Sequence, residues 1–433
     1  MNTNEPVLKK ALTAVHLWAI AVGLVISGEY FGWNYGWGVA GTVGMLIATF
    51  AVTVLYITFI FSFTELTTSI PNAGGPFTYA YKALGPIGGL IAGYATLIEF
   101  LFAAPAIAYA LGSYMHFLNP SFDVVYTAIT CYVLFTLINL LGIKESAIFT
   151  LIITLLAVTE LLLFMGVVAP HFQMSNFMHN SMPFGWGGVF AALPFAIWLY
   201  LAIEGVAMVA EETKDPKHTI PKGYILGIAT LVLLALGVMI LTGGITDWKN
   251  LSAIDYPLPE AIGIALGKNN QLTKIFAGIG LFGLIASFHS IIMTYSRQIF
   301  SLARENYLPS FLSKVHSDFR TPYWALLSGG AVGIIAILSG KTNELIIFSV
   351  LGAVVMYIIS MISLFVLRKK QPLLDRPFKA PFYPYFPVIA LLLSSICLVA
   401  IIYYNWALSI IFFISLLLLI ILFVALGKHK KSN

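Results

Sequence analysis

The chain has 433 residues, 59% of them hydrophobic and only 9% charged, with a mean hydropathy of +0.92. An ordinary soluble domain carries roughly 25% charged residues, and a globular chain this long could not hide so much apolar surface. A soluble enzyme, a nucleic-acid binder and a disordered linker are excluded together, and the net charge of +5 becomes a question of membrane orientation.

A helix needs about 20 apolar residues to cross the hydrocarbon core. On that measure the chain reads as twelve spans, at 13–38, 42–64, 86–111, 123–142, 146–168, 187–209, 221–243, 272–300, 323–340, 344–367, 386–404 and 406–427. Residues 1–12 and 428–433 are polar ends. The N-terminal stretch lacks the apolar core and cleavage site of a secretory signal, so the first span is expected to be retained. With both ends cytoplasmic, 19 of the 23 basic residues fall inside, and only Lys249, Lys268, Lys274 and Lys341 fall outside. This segregation follows the positive-inside rule and supports both the span count and the orientation.

Span 1 carries the first anomaly. Val25-Ile-Ser27-Gly28-Glu29-Tyr30-Phe-Gly32-Trp33-Asn34 puts a carboxylate between two glycines at mid-depth. Glycine weakens a helix by about 1 kcal/mol relative to alanine, and a charge in hydrocarbon costs roughly 2.5–3.5 kcal/mol on insertion scales. A broken helix whose freed backbone groups face a cavity or other protein is the expectation. Span 3 holds Glu99, six residues before Pro105. Span 5 holds Glu160, nearer its outer end, where a carboxylate can reach water. Span 6 repeats the pattern of span 1, with Trp198 and Tyr200 ahead of Glu204-Gly205. Two Gly-interrupted helices opening two consecutive five-span sets point to a transporter with internal repeats and a midplane site. Span 8 places His289 among Ser287, Ser290 and Thr294, and histidine carries protons near neutral pH.

No Lys or Arg lies mid-span to pair with these acids, so a cationic ligand, a proton or both are the expected partners. His289 is the single mid-span histidine of eight, and Cys131 and Cys397 sit in distant spans. No intramembrane metal cluster or disulfide framework follows, and no cofactor is called for. The partners the sequence calls for are a small cation, the lipid bilayer and a proton, with no nucleic acid; nothing in it fixes an oligomeric state.

Three loop motifs make the chain recognisable. Glu65-Leu-Thr-Thr-Ser-Ile-Pro71-Asn-Ala-Gly74-Gly75-Pro-Phe-Thr-Tyr79 follows span 2. Glu211-Glu212-Thr-Lys-Asp-Pro216 and on to Pro221-Lys-Gly223 follows span 6, and Tyr295-Ser-Arg297 through Arg304-Glu-Asn-Tyr-Leu-Pro309 follows span 8. In order and spacing these resemble the cytoplasmic motifs of the amino acid–polyamine–organocation transporter superfamily, over essentially the whole chain. The resemblance implies an all-α integral membrane protein of two inverted five-helix repeats, at 13–168 and 187–367, with spans 1 and 6 unwound at the substrate site and two further helices at 386–427.

Amino acid carriers of that superfamily usually have a small-residue, Gly-rich break in span 1 that holds a substrate carboxylate. Here Glu29 stands at that place, and two carboxylates in a dry site repel strongly. The run around Glu29 resembles the bacterial ethanolamine permease branch and implies import of a small primary amine. Candidate substrate contacts are Ser27, Gly28, Glu29, Tyr30, Trp33, Glu99, Trp198, Tyr200 and Glu204. Glu204, Glu99 and His289 are the candidates for proton coupling. An amino acid permease or an amine/amino acid exchanger is the alternative.

Overall fold

A computed structural model describes residues 11–142 and 147–427. Fifteen α-helices carry the fold: α1 (Ala14–Val25), α2 (Ser27–Tyr30), α3 (Tyr35–Ser69), α4 (Pro76–Leu118), α5 (Val124–Leu140), α6 (Ala147–Val168), α7 (Met174–Met178), α8 (Gly185–Trp198), α9 (Pro216–Gly243), α10 (Pro257–Leu266), α11 (Gln271–Arg304), α12 (Tyr323–Ile337), α13 (Thr342–Lys370), α14 (Tyr385–Tyr404) and α15 (Trp406–Ala425). Among the described residues the only strand-like pairing is an isolated bridge between Leu12 and Thr213.

The twelve expected spans map onto these helices. The boundary between spans 1 and 2 is a single residue inside α3: Gly41, at φ +71°, turns the chain where a Cβ would meet the Ser181 carbonyl oxygen at 2.6 Å. Span 3 similarly begins after Gly85 (φ +79°) and Pro86 in α4. Span 6 is α8 followed, after a break, by a 3₁₀ helix over Ile203–Glu212. Spans 11 and 12 meet at Asn405.

Packing separates an inner bundle from a lipid-facing shell. The apolar stretch of Gly185–Glu212 is 89% buried within the protein, against 22% for Trp406–Ala425, so α15 is peripheral. The span pairs that touch are exchanged by stepping five spans along the chain. α1 lies on α9 and α3 on α8; α4 lies on α13 as α11 lies on α6; α4 meets α5 as α11 meets α12. That exchange is what two five-span repeats produce. Hydroxyls in the interior are absorbed locally: in α3, Thr49, Thr53, Thr58, Ser62, Thr64, Thr67 and Thr68 each donate to the carbonyl four residues back. This lets a span carry hydroxyls at no cost in unsatisfied groups.

Candidate transport site

The helix of span 1 continues past Val25, because Ile26 keeps right-handed dihedrals and donates to the Val22 carbonyl at 2.8 Å. The break comes after Tyr30. Phe31 is extended, Gly32 sits at φ +94°, and helix resumes at Tyr35. The expectation that the break contains Glu29 therefore needs a correction of one turn. Gly32 takes the conformation that glycine alone adopts freely, and Glu29 stands on the last helical turn before it. Gly28 is needed for a different reason. A Cβ there would lie 2.4 Å from the Trp198 carbonyl oxygen, so the two broken helices touch backbone to backbone at this residue.

In span 6, α8 ends at Trp198, Ala202 turns the chain at φ +81°, and the 3₁₀ helix begins at Ile203. Trp198 bridges the two breaks. Its indole N–H donates to the Phe31 carbonyl, freed by the unwinding, at 2.9 Å, the ring stands edge-on to Phe31 with centroids 5.6 Å apart, and it closes against Gly32. A carbonyl freed by unwinding is thereby satisfied inside the membrane, as it must be. The first halves of both spans end here, so two helix C-termini, each carrying roughly half a negative charge, converge on one place.

A small cavity lies between the breaks, about 10 Å³, which is room for about one water. Ser27, Gly28, Trp198 and Ala202 wall it together with Ile107 and Ile291. Ser287 donates to the Leu24 carbonyl at 2.8 Å, so in its 2.8 Å contact with Ser27 it is the acceptor and Ser27 the donor. Ser27, which lines the cavity and donates to Ser287, retains acceptor capacity on its oxygen.

Glu29, Glu99 and Glu204 are all fully buried. Both carboxyl oxygens of Glu29 have no hydrogen-bond partner among the described residues, whereas the Glu99 carboxyl faces that of Glu204 and the Ala202 backbone without a well-formed bond to either. Glu99 and Glu204 are electrostatic neighbours, and Tyr200 is a neighbour of Glu29. Oε2 of Glu204 lies 3.5 Å from the Tyr357 hydroxyl, which is bonded to Tyr56 at 2.7 Å. The backbone around Glu99 is fixed by Ser349, which donates to its carbonyl at 2.6 Å.

Other expected residues are engaged elsewhere. Tyr30 donates to Glu160, and Glu160 is 5% exposed, so it is turned inward and does not reach water. The Tyr200 hydroxyl is bonded to Thr53 at 2.7 Å. Trp33 donates to the Glu29 carbonyl at 3.0 Å and packs on Trp37. His289 lies at the interface with α5, its Nδ1 3.0 Å from the Asn139 amide nitrogen. Tyr56 and Tyr357 were not anticipated; the available signal was a phenol at mid-depth in an apolar span.

Polar contacts tie the chain together on both sides of the breaks. On the side of the basic loops, buried Glu65 accepts from Arg368 Nε at 2.8 Å and Nη2 at 2.5 Å and from the Ala380 N–H at 2.7 Å, with Arg376 at 3.3 Å. Beside it, Ala11 and Leu12 donate to the Glu212 carbonyl at 2.8 and 3.0 Å. On the opposite side Asp255, in the loop before α10, accepts from Tyr35 at 2.6 Å and Thr342 at 3.1 Å. Asn34 holds the same loop through the carbonyls of Leu251 and Ile254 at 2.6 and 2.8 Å. Burial pushes the Asp255 carboxyl up to about 6, against the opposing pull of the Tyr35 and Thr342 hydroxyls.

The sequence profile of the amino acid permease family matches residues 12–432. An uncharacterized transporter of Rhizobium meliloti is 29% identical over 90% of this chain and 86% of its own length. A branched-chain amino acid permease of Bacillus subtilis is 29% identical over 100% of this chain and 96% of its own. A low-affinity putrescine importer of Escherichia coli is 25% identical, covering 86% and 84% of the two chains.

Proposed function

The chain belongs to the amino acid permease family of the amino acid–polyamine–organocation superfamily, and from that premise we propose that it imports a small primary amine, ethanolamine first, by alternating access. The protein is a multi-pass plasma-membrane transporter of this family, and in the proposed orientation both termini are cytoplasmic. One observation carries the choice of substrate: the fully buried carboxyl of Glu29, with neither oxygen bonded, at the converging negative ends of two helices. An ammonium ion stripped of water must recover several kcal/mol, and a carboxylate with two helix C-termini supplies it. A zwitterionic amino acid would bring its own carboxylate into the same negative field.

Each residue then has a part. Glu29 is the counter-ion of the ammonium. Ser27, which retains acceptor capacity, accepts from the substrate hydroxyl; Tyr30 is already committed to Glu160. Glu99 and Glu204 form a carboxyl pair that one monovalent amine cannot neutralise together with Glu29, so a proton resides on the pair in at least one state. Glu204, on the moving half of span 6, is the first candidate to exchange it. With room for about one water, the structure is a closed state, and binding requires the broken helices to part at Gly28 and Trp198.

The similarity to a branched-chain amino acid permease supports the alternative of an amino acid carrier with Glu29 protonated. Uptake of labelled ethanolamine into proteoliposomes, challenged with unlabelled ethanolamine or alanine, separates the two. Competition by ethanolamine but weak competition by alanine is expected; equal competition by alanine removes the amine reading.

A further inference from the structure

Glu160 is a buried carboxyl for which the proposed transport cycle gives no task. It projects from α6, a helix most of whose surface faces lipid, yet it is only 5% exposed. Its partner is the hydroxyl of Tyr30, which also lies 3.4 Å from the Ala157 carbonyl. Tyr30 is also held by α11 and α4. Its ring fills a slot on α11 made by two missing side chains, since a Cβ would approach it within 3.2 Å at Gly280 and 2.7 Å at Gly283. Tyr114 of α4 stands edge-on to it at 6.4 Å and donates to its carbonyl at 3.1 Å. Residues of three other helices thus grip one residue of a four-residue helical turn.

That residue adjoins Glu29. Successive side chains on a helix point about 100° apart, so fixing the direction of Tyr30 fixes that of Glu29. With Tyr30 held toward α6 and α11, the Glu29 carboxyl falls on the side of Tyr200 and the second break. This turn is the end of the span 1 helix, with Gly28 inside it and Gly32 just beyond it, so helix connectivity alone holds its rotation loosely and contacts from neighbouring helices set it.

We propose that Glu160 is a positioning residue, which through its bond to Tyr30 sets the rotation of the last turn of the first helix and hence the presentation of Glu29 to the substrate. This rests on the reading of Glu29 as the ammonium counter-ion, but its mechanical part can be tested without any substrate. Leaving one partner of a buried hydrogen bond unsatisfied costs about a tenfold factor in an equilibrium. Removing the bond should loosen the turn by that factor while the packing of Tyr30 remains.

The test compares Tyr30→Phe, Glu160→Leu, Glu160→Gln and the Tyr30→Phe/Glu160→Leu pair in two measurements. In purified protein, amide hydrogen exchange is followed over residues 26–34. Tyr30→Phe and Glu160→Leu are each expected to speed exchange about tenfold, the pair no more than either alone, and Glu160→Gln, which keeps an acceptor, much less. In proteoliposomes the same three weakened variants should raise KM for ethanolamine about tenfold with little change in kcat. Exchange and KM unchanged in Tyr30→Phe would overturn the proposal, as would additive effects in the pair. Tyr30→Phe removes one hydroxyl only and keeps the test sharp if Glu160→Leu fails to fold. If wild type takes up no ethanolamine, the substrate assignment fails while the exchange comparison still decides the role of Glu160.

Discussion

Glu29→Gln separates a substrate-binding carboxyl from a structural one, because the two roles predict opposite signs. The side chain is fully buried and neither oxygen is bonded, so in the closed state it makes no hydrogen bond for the substitution to break. A neutral amide of the same shape replaces a carboxyl that is itself neutral when the site is closed, and it needs no proton to stay so. Folding stability should stay level or rise. Binding should move the other way. Removing one member of a buried charge pair costs about 2–5 kcal/mol, and every 1.4 kcal/mol is tenfold. The apparent Kd for ethanolamine should therefore weaken by a factor of about 30 or more.

The assay is competition binding on detergent-purified protein, with a thermal melt on the same sample. Loss of affinity with an unchanged or higher Tm is the expected pair of results. Unchanged affinity removes Glu29 from the site. Loss of affinity with a clearly lower Tm shows that the carboxyl supports the fold through a contact this geometry does not contain, and the reasoning fails.

Three more predictions address the breaks, the proton and the outer contacts of Asp255. Gly28→Ala forces a Cβ against the Trp198 carbonyl, an overpacking worth about 1–3 kcal/mol; transport should collapse at normal membrane abundance, and full uptake would mean that the two backbones need not touch. Glu204→Gln should abolish uptake driven by a pH gradient at clamped voltage while sparing counterflow exchange; pH-driven uptake equal to wild type assigns the proton elsewhere. For Asp255 the closed state holds the carboxyl at about 6, whereas a solvated aspartate titrates near about 3.9. Proton binding therefore favours the closed state, most strongly below about 4 and less as the pH rises through about 6. Acidifying the outer face from about 7 to 5 should slow exchange from that side, Asp255→Asn should flatten the profile, and faster exchange in acid would show that the sign is wrong.

The sequence carried the fold well because its strongest signals are one-dimensional. Span length, Lys/Arg segregation and glycines near mid-span charges need no tertiary information, and they located both broken helices. The misplacement of the first break by one turn has a definite cause. Gly28 and Gly32 look alike in sequence, but only tertiary contact tells that Gly28 serves close approach to Trp198 while Gly32 supplies a left-handed dihedral. Glu160 was misjudged for a similar reason. Its depth along α6 permits contact with water, and its inward rotation follows from a partner 130 residues away. The polar ties on the two sides were also hidden. Asp255 and Glu65 lie in loops and helix ends where charge is ordinary, and their burial depends on Tyr35, Thr342, Arg368 and Arg376 arriving from distant segments.

The molecule supplies its own control for the mid-depth carboxyls of Glu29, Glu99 and Glu204, of which only Glu204 has a hydroxyl donor, Tyr357. Where a buried acid is structural, the fold equips it fully. Glu65 has two guanidinium groups and a backbone N–H, Asp255 has two hydroxyls, and Glu160 has the Tyr30 phenol. These partners come from helices and loops far apart in the chain, so nothing in the architecture prevents such pairing. At mid-depth the pattern stops. Hydroxyls are close by, but Thr53 and Tyr200 bond each other, and so do Tyr56 and Tyr357, instead of turning both donors onto Glu29 or Glu99. A buried carboxyl left without a donor is costly, and Glu29 and Glu99 together would not persist as packing accidents. On the proposed reading their compensation comes from outside the chain, as a proton when the site is closed and as a cation when it is loaded. Competition between those two for the same carboxyls is a physical basis for coupling amine movement to proton movement.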